Sequence, residues 1–206
     1  FAAINKKCMD NQYIWQNADL RKMTWQDNAF STLISEVSLR RGNLLGRLSM
    51  FGFKEQGDSM LDSLTEEIVH SSEIEGESLN RDSVRSSVAR QLGLEHDGLP
   101  KTDHYIEGVV QVMLDATQHF REPLTKERLF GWHSALFPTG YSGMYKITVG
   151  DWRKGEEAMQ VVSGAMGQQK VHYEAPPSSD VPEMMQELLA WLDDETLSID
   201  PLIKAA

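Results

Sequence analysis

Cysteine is almost absent: Cys8 is the one thiol in 206 residues. An intramolecular disulfide framework is thereby excluded, and a reducing, cytoplasmic setting is expected. Long uninterrupted apolar runs are missing as well. None approaches the ~18 residues that a bilayer-spanning helix needs, and no signal-type apolar stretch follows Phe1, so no membrane partner is expected. Positive charge is scarce, with 20 Lys and Arg against 31 Asp and Glu and a formal charge of −11. Nucleic acid is therefore not expected as a partner, because phosphate binding is driven by basic side chains. The six histidines are scattered singly, and there is neither a paired-His zinc signature nor a Gly-rich loop of the nucleotide-binding types. What remains is an ordinary globular composition, 40% hydrophobic and 25% charged, long enough for a buried core in one or two domains.

Helical spacing dominates that remainder. Thr24 reads as an N-cap with Asp27 three residues on, and Phe30, Leu33, Ile34, Val37, Leu44, Leu45 and Leu48 follow as one amphipathic stripe. After a break at Gly52 and Gly57, a second stripe at Leu61, Leu64 and Ile68 runs into Ser71, Ser72 and Glu75 and stops at Gly76. Asn80 caps a third helix that ends at Gly93, and 95–100 reads as a loop. The boundary expected there separates an N-terminal helical region, 1–98, from a second region, 99–206. Apolar spacing from Asp103 gives a fourth helix, and Thr125 caps a fifth that ends at Pro138. Then the texture turns β-prone at 145–149, 159–163 and 171–173, the last two joined by a Gly-containing tip as a hairpin. Asp180 with Glu183 starts a sixth helix, and Asp200-Pro201 a seventh with no stop signal before Ala206. That unterminated helix reads as a chain that continues. Trp15 and Trp25 carry no chemistry and read as packing.

One residue stands out on chemical grounds. Leu61, Leu64, Ile68 and Glu75 share a helix face, with Ser71 one turn before the glutamate. Either the stripe emerges into solvent at its last turn, or Glu75 is buried and needs a cation, since an unpaired buried carboxylate tends to protonate. The hairpin is equally open to two readings, as ordinary packing or as a strand edge for a partner.

The string Ser71-Ser72-Glu73-Ile74-Glu75-Gly76 resembles the inhibitory-helix motif of Fic proteins: Ser or Thr, three residues, Glu, then Gly or Asn. The subgroup is the one whose inhibitory helix, here about 58–76, precedes the Fic core. Other segments agree in order: Glu77, Leu79, Val84 and Leu92-Gly93-Leu94; 124–138 as the first core helices; Gly150-Asp151-Trp152-Arg153; Met159-Gln160-Val161-Val162-Ser163-Gly164 as the flap; and 173–177 as its exit. The fold the resemblance implies is mainly α, a helical bundle with a β-hairpin flap at about 157–175, preceded by the N-terminal helical region.

The same resemblance implies a protein adenylyltransferase that uses ATP and Mg²⁺ to place AMP on a Ser, Thr or Tyr hydroxyl of a target protein, and a homodimer. The family's catalytic signature, His-Pro-Phe followed by Gly-Asn-x-Arg, occurs nowhere in these residues. It would lie at the end of the helix begun at Asp200, so no catalytic residue and no metal ligand is assigned here. Glu75 would restrain the enzyme in cis by pairing with the signature's last arginine, Ser71 would hydrogen-bond Glu75 or the helix backbone, and Gly76 would end the helix. Gln160, Val161, Val162, Ser163 and Gly164 would dock the target, with the two valines on opposite strand faces. The alternatives are a non-catalytic Fic-like interaction module, or a Fic enzyme that transfers UMP, phosphocholine or phosphate or removes AMP.

Overall fold

The computed structural model describes residues 13–16, 27–50, 52–94, 102–165, 167–194, 196–197 and 199–205. Thr24, Trp25 and the 95–100 loop lie outside them. Among the described residues the chain is mainly helical. A 3-10 turn at Ile14–Gln16 precedes α1 (Asp27–Leu48), α2 (Phe53–Ile74), α3 (Arg81–Gln91), α4 (His104–Gln118) and α5 (Lys126–Leu136). Two antiparallel pairs follow, β1 (Tyr141–Ser142) with β2 (Tyr145–Lys146) and β3 (Gln160–Ser163) with β4 (Lys170–Glu174), and then α6 (Val181–Asp193) and α7 (Pro201–Lys204).

Local chemistry sets most of the boundaries. Side-chain oxygens of Asn80, Asp103, Thr125 and Asp200 accept the backbone N–H of Ser83, Ile106, Arg128 and Leu202, respectively, filling donors that a helix start leaves unpaired. Two expectations are corrected. Gly57 does not break the chain but lies inside α2, which starts directly after Gly52. A helical glycine is destabilising by only about 1 kcal/mol, less than the packing of this helix supplies. The β-prone run at 145–149 forms a strand only over Tyr145–Lys146, with one further bond from the Ile147 N–H to the Gly140 carbonyl at 3.0 Å.

The chain divides into two compact units, one made of 1–41, 152–187 and 198–206, the other of 42–151 and 188–197. The second holds the core: Leu61, Leu64, Ile68 and Val69 from α2, Val84, Val88 and Ala89 from α3, and Ile106, Val110 and Leu114 from α4. Each α-helix contributes positions three or four apart, so each presents one stripe to the others, and burial of each large aliphatic side chain is worth roughly 1.5–3 kcal/mol. α3 and α4 thus pack in one core from either side of 98/99. Their junction is tied by Glu107, whose Oε1 accepts from Arg90 at 2.9 Å and from the Thr102 hydroxyl at 2.7 Å. The α1 helix forms as its spacing predicts, but Phe30, Leu33, Val37, Leu44 and Leu45 are exposed.

α5 is fastened to α4 in two ways. Where they cross, the α-carbon of Gly108 faces the Ala135 carbonyl so closely that a Cβ would lie 2.1 Å from that oxygen. At the other end Arg128 donates to the Asp115 carboxylate (2.7 Å) and to the carbonyls of Asp115, His119, Glu122 and Pro123. The Trp132 indole N–H and the His119 ring meet the same carboxylate at 2.6 and 2.9 Å. Arg128, then His119 and Trp132, hold the Asp115 carboxyl down at about 2.

Two outcomes are expected. Gly108→Ala should lower stability by about 2 kcal/mol or more, because backbone must move to admit the methyl group; an unchanged melting temperature would refute the close crossing. Because the folded pKa of Asp115 is depressed, its contribution is fully present above about pH 4 and lost as pH falls toward 2. Urea unfolding should therefore show Asp115→Asn less stable than wild type by on the order of 1–2 kcal/mol at pH 7, allowing for solvent screening. The gap should narrow below pH 4, and a constant gap down to pH 2 would contradict the assignment.

Candidate functional site: a helix end and a hairpin

α2 ends on a backbone device. Gly76 adopts φ +84°, its N–H donates to the Glu73 carbonyl (3.0 Å), and the Glu77 N–H reaches back to Ser72 (2.9 Å). This is the left-handed glycine cap that closes many helices, and α3 closes the same way, with Gly93 at φ +69° and Leu94 N–H on the Ala89 carbonyl. Around Gly76 a Cβ would meet nothing within 4 Å, so the requirement for glycine there is conformational only.

Glu75 is the C-cap residue, with its side chain in solvent. The buried stripe stops at Val69, Ser71 and Ser72 are half-buried, and everything from Glu73 to Glu77 is exposed. The stripe therefore emerges, and desolvation is not what would call for a cation at Glu75. The helix dipole is. The last turn of α2 has no basic residue, and a carboxylate at a helix C-terminus sits against partial negative charge, unfavourable by about 0.3–1 kcal/mol. Among the described residues no cation pairs with Glu75. His70 faces Glu66 and Glu73, at 3.6 and 3.2 Å, and Arg81 takes Glu66 at 2.5 Å. Ser71 departs from expectation: its hydroxyl points to the Glu67 carboxylate at 3.4 Å, not to Glu75 or the helix backbone, because the earlier turn offers an acceptor four residues back.

The hairpin lies in the other compact unit. Gln160 faces Glu174, Val161 faces Tyr173, Val162 faces Val171 and Ser163 faces Lys170, which leaves His172 as an extra residue, a β-bulge on β4. The His172 ring meets the Ser163 hydroxyl at 2.5 Å and Gln160 donates to the Glu174 carboxylate at 2.7 Å. Gly164 turns the chain at φ +104°, and a Cβ there would lie 2.7 Å from the Gln168 carbonyl, so glycine is needed for both conformation and room. Val161 and Val162 are both exposed. Below them the Arg153 guanidinium holds the Pro176 carbonyl and the Ser178 hydroxyl holds that of Gly155.

Sequence reading takes Trp15 as packing without saying against what, and gives Tyr13 no role. Trp15 donates its indole N–H to the Glu174 carbonyl at 2.7 Å, and the Tyr13 ring meets Tyr173 edge-on at 5.8 Å. No local signal could announce a contact across 159 positions. Among the described residues no group of three His, Cys, Asp or Glu is placed to hold a metal ion, and no helix is long and apolar enough to cross a membrane.

Gly76→Ala should lower stability by about 1 kcal/mol through left-handed strain alone, and Gly76→Asn by less, since Asn tolerates that conformation. Thermal unfolding checks the order; equal effects of the two would contradict it.

The part of the chain from the 3-10 turn to the end of the α3 cap, residues 13–94, matches the family described as "Domain of unknown function (DUF4172)". No curated protein matches the chain.

Proposed function

We propose that this chain supplies the target-docking hairpin and the internal restraint of a Fic-type protein adenylyltransferase, which joins AMP from ATP to a hydroxyl of a target protein. The observation that carries the reading is the end of α2: a Ser-x-x-x-Glu-Gly string whose glycine is in the left-handed cap and whose carboxylate stands in solvent at the negative end of a helix, with no cation from the described residues. Local electrostatics disfavour that placement, and sequences tend to break such rules where a site requires it. An arginine brought to Glu75 would relieve the conflict. In the family the resemblance points to, that arginine belongs to the catalytic signature and otherwise grips the γ-phosphate of ATP.

The restraint follows from geometry. With the arginine held by Glu75, the triphosphate loses one anchor, and its α-phosphorus is no longer in line with the incoming hydroxyl. In the released state the target oxygen bonds to the α-phosphorus, pyrophosphate leaves, and the hydroxyl proton passes to the signature histidine. No residue of this chain is assigned to that step. In the family the resemblance points to, the signature also carries an acidic residue between His-Pro-Phe and Gly-Asn, and that residue would hold the Mg²⁺. The hairpin contributes alignment: an extended target segment pairing with the main chain of Gln160 to Gly164 would bring its hydroxyl into place whatever its side chains.

In the complete reading frame that carries the signature, Glu75→Gly should raise AMP incorporation from labelled ATP and Mg²⁺ by on the order of a hundredfold. Unchanged incorporation would defeat the restraint. A reading frame without His-Pro-Phe and Gly-Asn-x-Arg would defeat the enzyme and leave a non-catalytic interaction module.

A further inference from the structure

The two edges of the hairpin are not alike. Ala175 donates its N–H to the Met159 carbonyl at 2.8 Å, so the alternation of an antiparallel ladder turns the backbone groups of the next pair, Gln160 and Glu174, outward, away from the partner strand. On β3 the outward side borders the uncharged run Gln160–Ser163 and pairs with no strand among the described residues. On β4 it is obstructed along its length. Lys170 stands at the tip, the His172 bulge interrupts the ladder, and the outward carbonyl of Glu174 is taken by Trp15. Lysines, bulges and covering segments are the usual means by which a strand edge is closed to further pairing.

The covering segment is built for this task. The Gln16 N–H donates to the Tyr13 carbonyl at 2.9 Å, and the Tyr13 N–H donates to the Gln16 side chain at 2.8 Å, which closes the 3-10 turn on itself. Tyr13 and Trp15 are thereby presented together, two residues apart, to two consecutive residues of β4, Tyr173 and Glu174. Both are half-buried, whereas Ile14 between them is exposed.

We infer that Tyr13 and Trp15 form a latch on the outer edge of β4, which holds the base of the hairpin and leaves the edge of β3 as the one an incoming extended segment can use. The second half of this statement rests on the docking role proposed for the hairpin; the first half does not. Trp15 acts here as a positioning residue. Its loss frees the Glu174 carbonyl, loosens the hairpin base and exposes a second edge.

Hydrogen exchange followed by mass spectrometry on the full chain tests the latch without any catalytic readout. Trp15→Phe keeps an aromatic ring but removes the N–H donor, and should speed exchange in peptides covering 157–177 by about tenfold. Tyr13→Ala combined with Trp15→Phe should speed it further. Peptides from α3 and α4 should keep wild-type rates. Wild-type rates over 157–177 in both variants would overturn the latch, as would an equal acceleration in α3 and α4, which would mark a general loss of stability. The docking role is scored separately with labelled ATP on the complete protein. If Glu75→Gly gives no AMP incorporation, that role falls, and the exchange rates still decide the latch.

Discussion

One guanidinium holds the end of one helix and the start of the next. Arg128, in the first turn of α5, neutralises Asp115 and donates to the carbonyls along the stretch where α4 unwinds, those of His119, Glu122 and Pro123. The His119 carbonyl also takes the Glu122 N–H at 3.0 Å, while those of Glu122 and Pro123 lie past the helix end, so Arg128 adds a charged donor to a turn that the backbone closes only in part. α4 also carries Ile106, Val110 and Leu114 into the core shared with α2 and α3, so the fastening couples α5 to the whole bundle. Gly108 makes the arrangement close enough to work, since any side chain at that crossing would hold the two helices apart.

Against this fastening of α4 to α5, the end of α2 is left with an unpaired charge. Its backbone is well closed, through Gly76 and two returning hydrogen bonds, while its side chains leave Glu75 beside the negative pole of the helix with no described cation near it. The closed backbone fixes where the Glu75 side chain leaves the helix, and among the described residues no cation pairs with it. Under the restraint proposed above, a poorly matched charge suits a reversible contact, because a carboxylate already paired within its own helix would have no need of an incoming cation.

The hairpin separates its two edges by similar means. Charge, a bulge and an aromatic turn close one side, while an uncharged strand keeps the other open. Backbone recognition is insensitive to side chains, so under the docking role proposed for the hairpin the open edge decides which strand a target segment lies beside.

Much of this was legible in the sequence. The caps at Asn80, Thr125 and Asp200, the start of α4 at Asp103, the stripes of α2 to α4, the stop at Gly76 and the hairpin with its glycine turn are all written within a few neighbouring residues, because a helix start, a left-handed cap and a strand period are decided by local hydrogen bonds and backbone sterics. Other features were decided by what packs from elsewhere. Gly57 continues a helix because the core outweighs its propensity, the α1 stripe stays exposed although its spacing is that of a buried face, and Ser71 turns to Glu67 where two acceptors competed. The bulge at His172 and the meeting of Trp15 with Glu174 depend on strand register and on segments 159 residues apart. Spacing along a chain fixes which side chains share a face; only the tertiary structure decides what, if anything, that face meets, because burial and long-range pairing are chosen by the fold as a whole.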